Sequence, residues 1–514
     1  MTAAAAEPAD PSGGRDLPPE ELPTYVLSRW LFLRLLGLVY LIAFVSLAVQ
    51  LRGLIGEHGI LPAGRFLDWA YSMYHGQAYR LLPTVFWLGA SDAALVAVAW
   101  TGAVLALLLV LGVAPLLVLA LLWVLYLSLS VVGQEFLSFQ WDALLLEAGL
   151  LSLLWAPASW LTRRRVPAPS EVGRLLLVFL LFKLMFLSGV TKLLSGDPTW
   201  RNLTALDYHF ETQPLPPWTA WYADHLPSAL HRAATLVMFV IELGAPWLVF
   251  ARRRRVRHAG VAALAFLQLG IAATGNYGFF NLLALVLCIP LLDDRLLGRV
   301  IPLRLEREER KSGGLRTAQA VVAAALMVVS LLTFAREIAY TLPGGRGLGY
   351  LPRWSERMLA WVGPFRTING YGLFRVMTTE RPELVIEGSR DGVEWRAYEF
   401  RWKPGDVDRR PRFVAPYQPR LDWQMWFAAL DPLGGYGWLQ SLGGALRRGT
   451  PEVLALLGRN PFSDAPPRFV RLTRYIYRFS GVEQRRRTGA WWVREPEGHL
   501  PLGPSPPEAG TAAR

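Results

Sequence analysis

Apolar residues in this chain come in long unbroken blocks separated by short polar connections, not in the alternating stripes of a water-soluble fold. A helix needs about 20 apolar residues, each rising about 1.5 Å, to cross a bilayer. The first such block is 30–51. A polar segment follows at 52–91, carrying Glu57, His58, Asp68, His75 and several aromatics. Residues 93–133 hold no charge and are too many for one crossing, and the break at Gly112–Pro115 predicts a tight helical hairpin. Further blocks at 141–160, 172–194, 229–250 and 258–274, a short one ending at Leu292, and one at 317–335 complete a predicted bundle of about nine spans.

After a glycine-rich joint at 342–350 the pattern changes. Residues 383–388 and 393–400 flank Asp391-Gly392 as the two arms of a hairpin would. Residues 468–480 alternate in residue type like a strand. Short helices are expected at 421–430 and 451–459, the second with Thr450 as N-cap and Pro451 in its first position. The fold class is thus a multi-pass α-helical membrane bundle with a C-terminal β-rich extramembrane domain, read as a sandwich. The predicted divisions are a disordered cytoplasmic tail (1–28), the membrane domain (29–338), a joint (339–360), the β-rich outer domain (361–495) and a disordered tail (496–514).

Composition agrees with a membrane protein: 53% of the 514 residues are hydrophobic, 18% are charged, and the mean hydropathy is +0.28. The net charge of +13 would suggest nucleic acid if its location were ignored. Many of the charges sit at 163–165, 252–255 and 293–316, between apolar blocks, which is the positive-inside pattern. An alternating nine-span count puts these three connections on the cytoplasmic side together with the N-terminus. It puts 52–91, 133–140, 195–228, 275–278 and the C-terminal domain outside. Arginine outnumbers lysine 49 to 4, as in GC-rich bacterial genomes. The single cysteine, Cys288, excludes an intrachain disulfide and a CxxC pair.

Candidate chemistry concentrates in 182–218, where an apolar helix with Lys183 and Lys192 runs into a polar loop with Asp197, Trp200, Arg201, Asn202, His209 and Glu211. A lysine as deep as Lys183 needs a partner. Glu242 lies at similar depth by residue count and Glu147 is shallower, so a buried Lys183–Glu242 pair is expected. Lys192, at the outer interface, is either a snorkelling side chain or a base working beside Asp142, Glu147 and His209. His209 and Glu211 offer two metal donors where a zinc site needs three or four, so no metal and no cofactor are predicted. Asn202-Leu203-Thr204 matches a glycosylation sequon, and no P-loop, GxSxG or dinucleotide fingerprint is present. The outer domain is rich in Trp, Tyr and Arg, the composition of an interaction surface.

Five blocks carry a resemblance: FLSFQWDALLLEAGLLSLLWAP (136–157), FLSGVTKLLSGDPTWRNLTALDYHFETQPLP (186–216), GNYGFFN (275–281), INGYGLF (368–374) and APYQPRLDWQMWFAAL (415–430). Together they resemble the lipase maturation factor family, multi-pass proteins of the endoplasmic reticulum in animals. The resemblance implies a membrane chaperone whose outer domain engages a secreted client such as a lipase; the placement of the charges already argues against a nucleic-acid partner. Client-binding candidates are Arg420, Trp423, Trp426, Trp200 and Arg201. The helical part is more distantly similar to vitamin K-dependent gamma-carboxylase. That likeness implies the alternative of a membrane enzyme acting on a lipid, quinone or peptide through Lys192, Asp142 and His209. A transporter is the weakest reading, because no inverted repeat is visible.

Overall fold

The computed structural model describes residues 24–503 except 162–164, 304, 309–312, 343–351, 433 and 435. The expected tails at 1–23 and 504–514, and most of the glycine-rich joint, lie outside the described residues.

Helix α1 (Val26–Ala48) opens the bundle, followed by α2 (Asp92–Leu111), α3 (Pro115–Val132), α4 (Gln140–Leu153) and α5 (Glu171–Leu194). The outer loop after α5 carries α6 (Leu206–Thr212) and α7 (Trp218–Asp224), and then come α8 (Ser228–Leu248), α9 (Arg254–Thr274), α10 (Phe280–Cys288) and α11 (Gly313–Thr341). Among the described residues seven helices are long and apolar enough to cross a membrane: α1, α2, α3, α5, α8, α9 and α11. The expected fourth and eighth spans are shorter than read from sequence. Helix α4 stops after 14 residues, and the chain from Leu154 folds back until Trp160 meets the α2–α3 turn, where the Ala114 amide donates to its carbonyl. Pro157 lies in that return and cannot continue a helix. Helix α10 has nine residues plus a 3₁₀ turn that contains Pro290.

The hairpin at Gly112 is as predicted. Gly112 adopts a φ of +81° that ends α2, and Pro115 starts α3. Helices α1 and α2 are in intimate contact because Gly102 has no side chain. A Cβ there would come within 2.2 Å of the Phe44 ring. The start of α1, expected near residue 30, lies four residues earlier, because Asp294 caps it across the fold. Its carboxylate accepts the amides of Val26, Leu27 and Ser28 at 2.8–3.2 Å.

The three basic connections meet at one end of the bundle. A parallel pair of short strands, β1 (Arg165–Pro167) and β2 (Glu306–Glu308), joins two of them. The third is tied in by Arg254, Arg257 and His258 around the buried carboxylate of Asp293.

Among the described residues the C-terminal region holds a single four-stranded antiparallel sheet, not a sandwich. Its strands β3 (Arg381–Ser389), β4 (Arg396–Ala397), β5 (Phe469–Phe479) and β6 (Trp492–Pro501) are ordered β4-β3-β5-β6. The Asp391-Gly392 turn is present, with Gly392 at φ +82° and the Asp391 side chain accepting two downstream amides, but β4 is only two residues long. Strand β6 continues six residues into the expected C-terminal tail.

Helices, not a second sheet, provide the other layer. On one face Leu384, Ile386 and Leu472 pack with α12 (Arg420–Leu430) and α13 (Gly437–Arg448), through Leu421, Met425 and Leu442. On the other face Tyr477, Phe479 and Trp492 pack on Phe210 and Trp221 of the membrane domain's own outer loop. A sheet covered on both faces in this way has no face left for a partner sheet. The helix expected at 451–459 is one turn, Pro451–Leu454, and Thr450 makes no side-chain cap.

Candidate functional site

The polar residues singled out from sequence do not gather into one cluster. They build a seam that fastens the sheet domain to the end of the bundle opposite the basic connections. Three buried ion pairs lie along or directly beneath it.

Asp142, in the first turn of α4, receives both guanidinium nitrogens of Arg420, the first residue of α12, at 2.9 and 2.8 Å. The Tyr126 hydroxyl of α3 donates to the same carboxylate, and Arg420 also reaches the Phe136 carbonyl at 2.7 Å. Both side chains are almost fully buried. A buried, forked pair of this kind is among the strongest contacts a protein makes.

One turn and a half deeper on α4, Glu147 accepts from Lys183 at 2.5 Å. Its second oxygen takes the Tyr371 hydroxyl at 2.8 Å and the Asn369 amide at 2.9 Å, both from the segment that leads into the sheet domain. Lys183 also donates to Ser330 of α11.

The third pair is Lys192 with both oxygens of Glu242, each at 2.8 Å. The expected Lys183–Glu242 pairing is therefore incorrect, and the reason is geometric. The depth estimate took the outer ends of α5 and α8 as level. Helix α8 instead begins well beyond the end of α5, where His231 is held by Asp207 and the Ala223 carbonyl. Glu242 consequently stands level with Lys192. Gly189 lets α5 and α8 approach closely there, since a Cβ on it would lie 3.0 Å from that of Glu242.

The outer loop supplies the rest. Asp197 accepts the Met377 amide at 2.6 Å, and Trp200 donates its indole N–H to the Phe374 carbonyl at 3.0 Å. Arg381 of β3 reaches the carbonyls of Glu211, Gln213 and Pro214, and pairs with Glu383. Glu211 accepts the Phe479 amide at 2.7 Å. Asn276 bridges the Leu215 and Arg412 carbonyls and takes the amides of Val414 and Ala415.

Electrostatics in the loop follow from this enclosure. Burial, followed by the nearby Lys192 charge, lowers His209 to about 4, so it is neutral where its Nε2 meets the Tyr277 hydroxyl at 3.2 Å. Burial also raises Glu211, against the pull of the Phe479 amide and Arg381. It raises Asp224 to about 7, with the adjacent Glu211 adding to the effect.

The sequence-predicted residues thus part company. Lys192 and His209 are neighbours, but Lys192 is clamped by Glu242, and Asp142 belongs to Arg420. Among the client-binding candidates, Arg420, Trp423 and Trp200 are interior to the seam. Trp423 packs edge-on to Trp141 at 4.8 Å and to Tyr277 at 6.0 Å. Trp426 is half-buried with its indole on the Thr212 carbonyl, and only Arg201 is exposed. No group of three or more potential metal-binding side chains occurs among the described residues. Arg381, Asn369, Tyr371 and Asn276 were not singled out from sequence, although three of them lie in the short GNYGFFN and INGYGLF blocks.

Those blocks, distant in sequence, all converge on this seam. Residues 27–299 match the lipase maturation factor transmembrane domain, and residues 367–501 match the lipase maturation factor C-terminal domain. The chain belongs to the lipase maturation factor family. Lipase maturation factor 2 of Rattus norvegicus is 38% identical over 90% of this chain and 81% of its own length. Lipase maturation factor 1 of Bos taurus is 35% identical over 95% and 91%, and that of Homo sapiens 34% identical over 92% and 87%. No solved structure matches the chain. The two family domains are the two bodies that the seam joins, so this lipase maturation factor family member is an integral membrane protein with an attached sheet domain.

Proposed function

We propose that the chain is a membrane maturation factor that assists the folding of a secreted protein such as a lipase. The observation that carries this reading is coverage of both family domains, in relatives named for lipase maturation, together with the seam that makes those domains one working face. The client-facing surface is then the exposed rim of that face, including Arg201, with Arg420, Trp423 and Trp200 acting as its internal framework. The membrane enzyme alternative gains no support from Lys192, which lies against Glu242 and is 4% exposed.

The orientation follows the charges. The basic end, with 165–167, 254–258, 293–294 and the start of α1 gathered together, faces the cytoplasm. The seam and sheet domain face the periplasm or, in a eukaryotic host, the lumen. Helices α4 and α10 complete an alternating count by crossing inside the bundle, shielded from lipid by longer neighbours.

The test is restoration of secreted lipase activity in cells lacking their own maturation factor. The wild-type chain is expected to restore it, and Lys192→Ala paired with Glu242→Gln to retain it. A protein that inserts and folds but rescues no secreted lipase would sink the client assignment. Retained rescue by the wild type with complete loss in that folded double variant would revive the enzyme.

A further inference from the structure

The segment 52–91 reads from sequence as an outer aqueous loop, yet its structure exposes an unusual amount of aromatic surface. Its amphipathic helix, Ala63–Tyr74, turns Ala63, Leu67 and Ala70 inward and leaves Trp69, Tyr71, Met73 and Tyr74 exposed. Tyr79 and Leu88 follow, Leu88 at 95% exposure. The rings touch in two groups, Trp69 with Tyr74, and Tyr71 with Tyr79 and Tyr79 with Trp87, at centroid separations of 4.9–6.3 Å.

Hydrogen bonds fix the depth of this ridge. The Thr84 hydroxyl donates to the Ser128 carbonyl at 3.2 Å, and the Val85 amide donates to the Ser128 hydroxyl at 3.1 Å. Ser128 lies within α3, four residues and so about 6 Å from its end at Val132. Thr84 and Val85 are therefore level with the last turn of a membrane helix and not above it. Leu88 stands three residues before Ser91, the N-cap of α2, and Trp100, Val104, Leu107 and Leu111 of that span are exposed as well.

We propose that residues 66–88 form an aromatic foot seated in the headgroup region of the leaflet on the sheet-domain side, with phospholipid as its occupant. Trp and Tyr rings are suited to that zone, and a helix with a large apolar face lies along it. Charges within the foot are limited to Asp68 and Arg80, both exposed, and the long Arg80 side chain suits the interface. The lipid contact itself does not depend on which side of the membrane the sheet domain faces, nor on the client.

The test uses the full chain in phosphatidylcholine nanodiscs, with an environment-sensitive fluorophore on Met73→Cys, Tyr79→Cys or Leu88→Cys, and on Glu57→Cys as an aqueous control. The buried Cys288 should leave the parent unlabelled. Acyl-chain-brominated phosphatidylcholine is expected to quench the three foot positions at least twofold, and iodide to quench only the control. Iodide quenching of the foot equal to that of Glu57→Cys, without bromolipid quenching, would overturn the proposal. So would a foot shielded only after a secreted lipase is added. Unchanged melting of each labelled variant separates these outcomes from misfolding.

Discussion

The two ends of the bundle handle charge in opposite ways. At the basic end arginines are numerous and mostly exposed, as Arg252, Arg253 and Arg255 are, and the cohesive element there is one buried acid, Asp293, with Asp294 beside it. At the seam three buried pairs stand out: Asp142 with Arg420, Glu147 with Lys183, Glu242 with Lys192. Exposed charges act through their number and position relative to the membrane, so exchanging one for another changes little. Buried pairs act through identity and geometry, and removing one partner strands the other in a low-dielectric interior. The lesson is that, in the proposed orientation, the abundant charges mark the cytoplasmic end while the scarce ones hold the two domains together.

The largest predicted effect is at the seam. Arg420→Met leaves Asp142 buried and unpaired, and a loss of about 3–5 kcal/mol is expected, read as a lower melting temperature and faster proteolysis of the sheet domain in nanodiscs. A loss within error would dissolve the contrast between the two ends.

Next is the deep pair. Lys183→Met should destabilise by roughly 3 kcal/mol, and Glu147→Gln in the same chain should recover much of it, because Tyr371 and the Asn369 amide can still be satisfied. Glu242→Gln should not rescue Lys183→Met. Rescue by Glu242 instead of Glu147 would overturn the pairing seen here.

The loop gives a smaller, pH-dependent effect. Asp224 has a folded-state pKa raised from 3.8 to about 7, so it contributes stability at low pH that is lost as pH rises through that interval. Asp224→Asn is therefore expected to stabilise the protein near pH 8 by on the order of 1 kcal/mol after allowance for solvent screening, and to do little at pH 4. His209, lowered to about 4 from 6.5, runs the other way: its contribution is lost on acidification from about 6.5 through 4. His209→Gln should flatten that acid-side decline in melting temperature. The smallest effect belongs to the basic end, where Arg253→Gln should change stability by less than about 0.5 kcal/mol.

Much of this architecture was legible in the sequence because hydrocarbon imposes a simple length rule. The α2–α3 hairpin, α5 and the gathered basic connections all follow from block length, Gly112–Pro115 and arginine position. Helices α4 and α10 escaped the rule because the protein shields them, and a buried helix need not be as long as the bilayer is thick. Helix α13 was missed although Trp438, Leu439, Leu442, Ala445 and Leu446 show its period; its glycines hid it. The sandwich was a reasonable guess from alternating strands, but alternation reports only that both faces are covered, not by what. At the seam, residue type announced that Lys183 needed a partner, while the choice of partner depended on how far α8 overshoots α5, which no local pattern encodes. Gly102 shows the same limit: its contact with Phe44 is a property of two helices.

The Asp294 cap on α1 has a consequence for biogenesis. The carboxylate that finishes the first turn of α1 lies 268 residues downstream of Val26, so α1 cannot be capped until every bundle helix except α11 has been made. Until then its leading amides depend on water or headgroups. Closure of this end is thus a late checkpoint, which a chain truncated before residue 294 cannot pass.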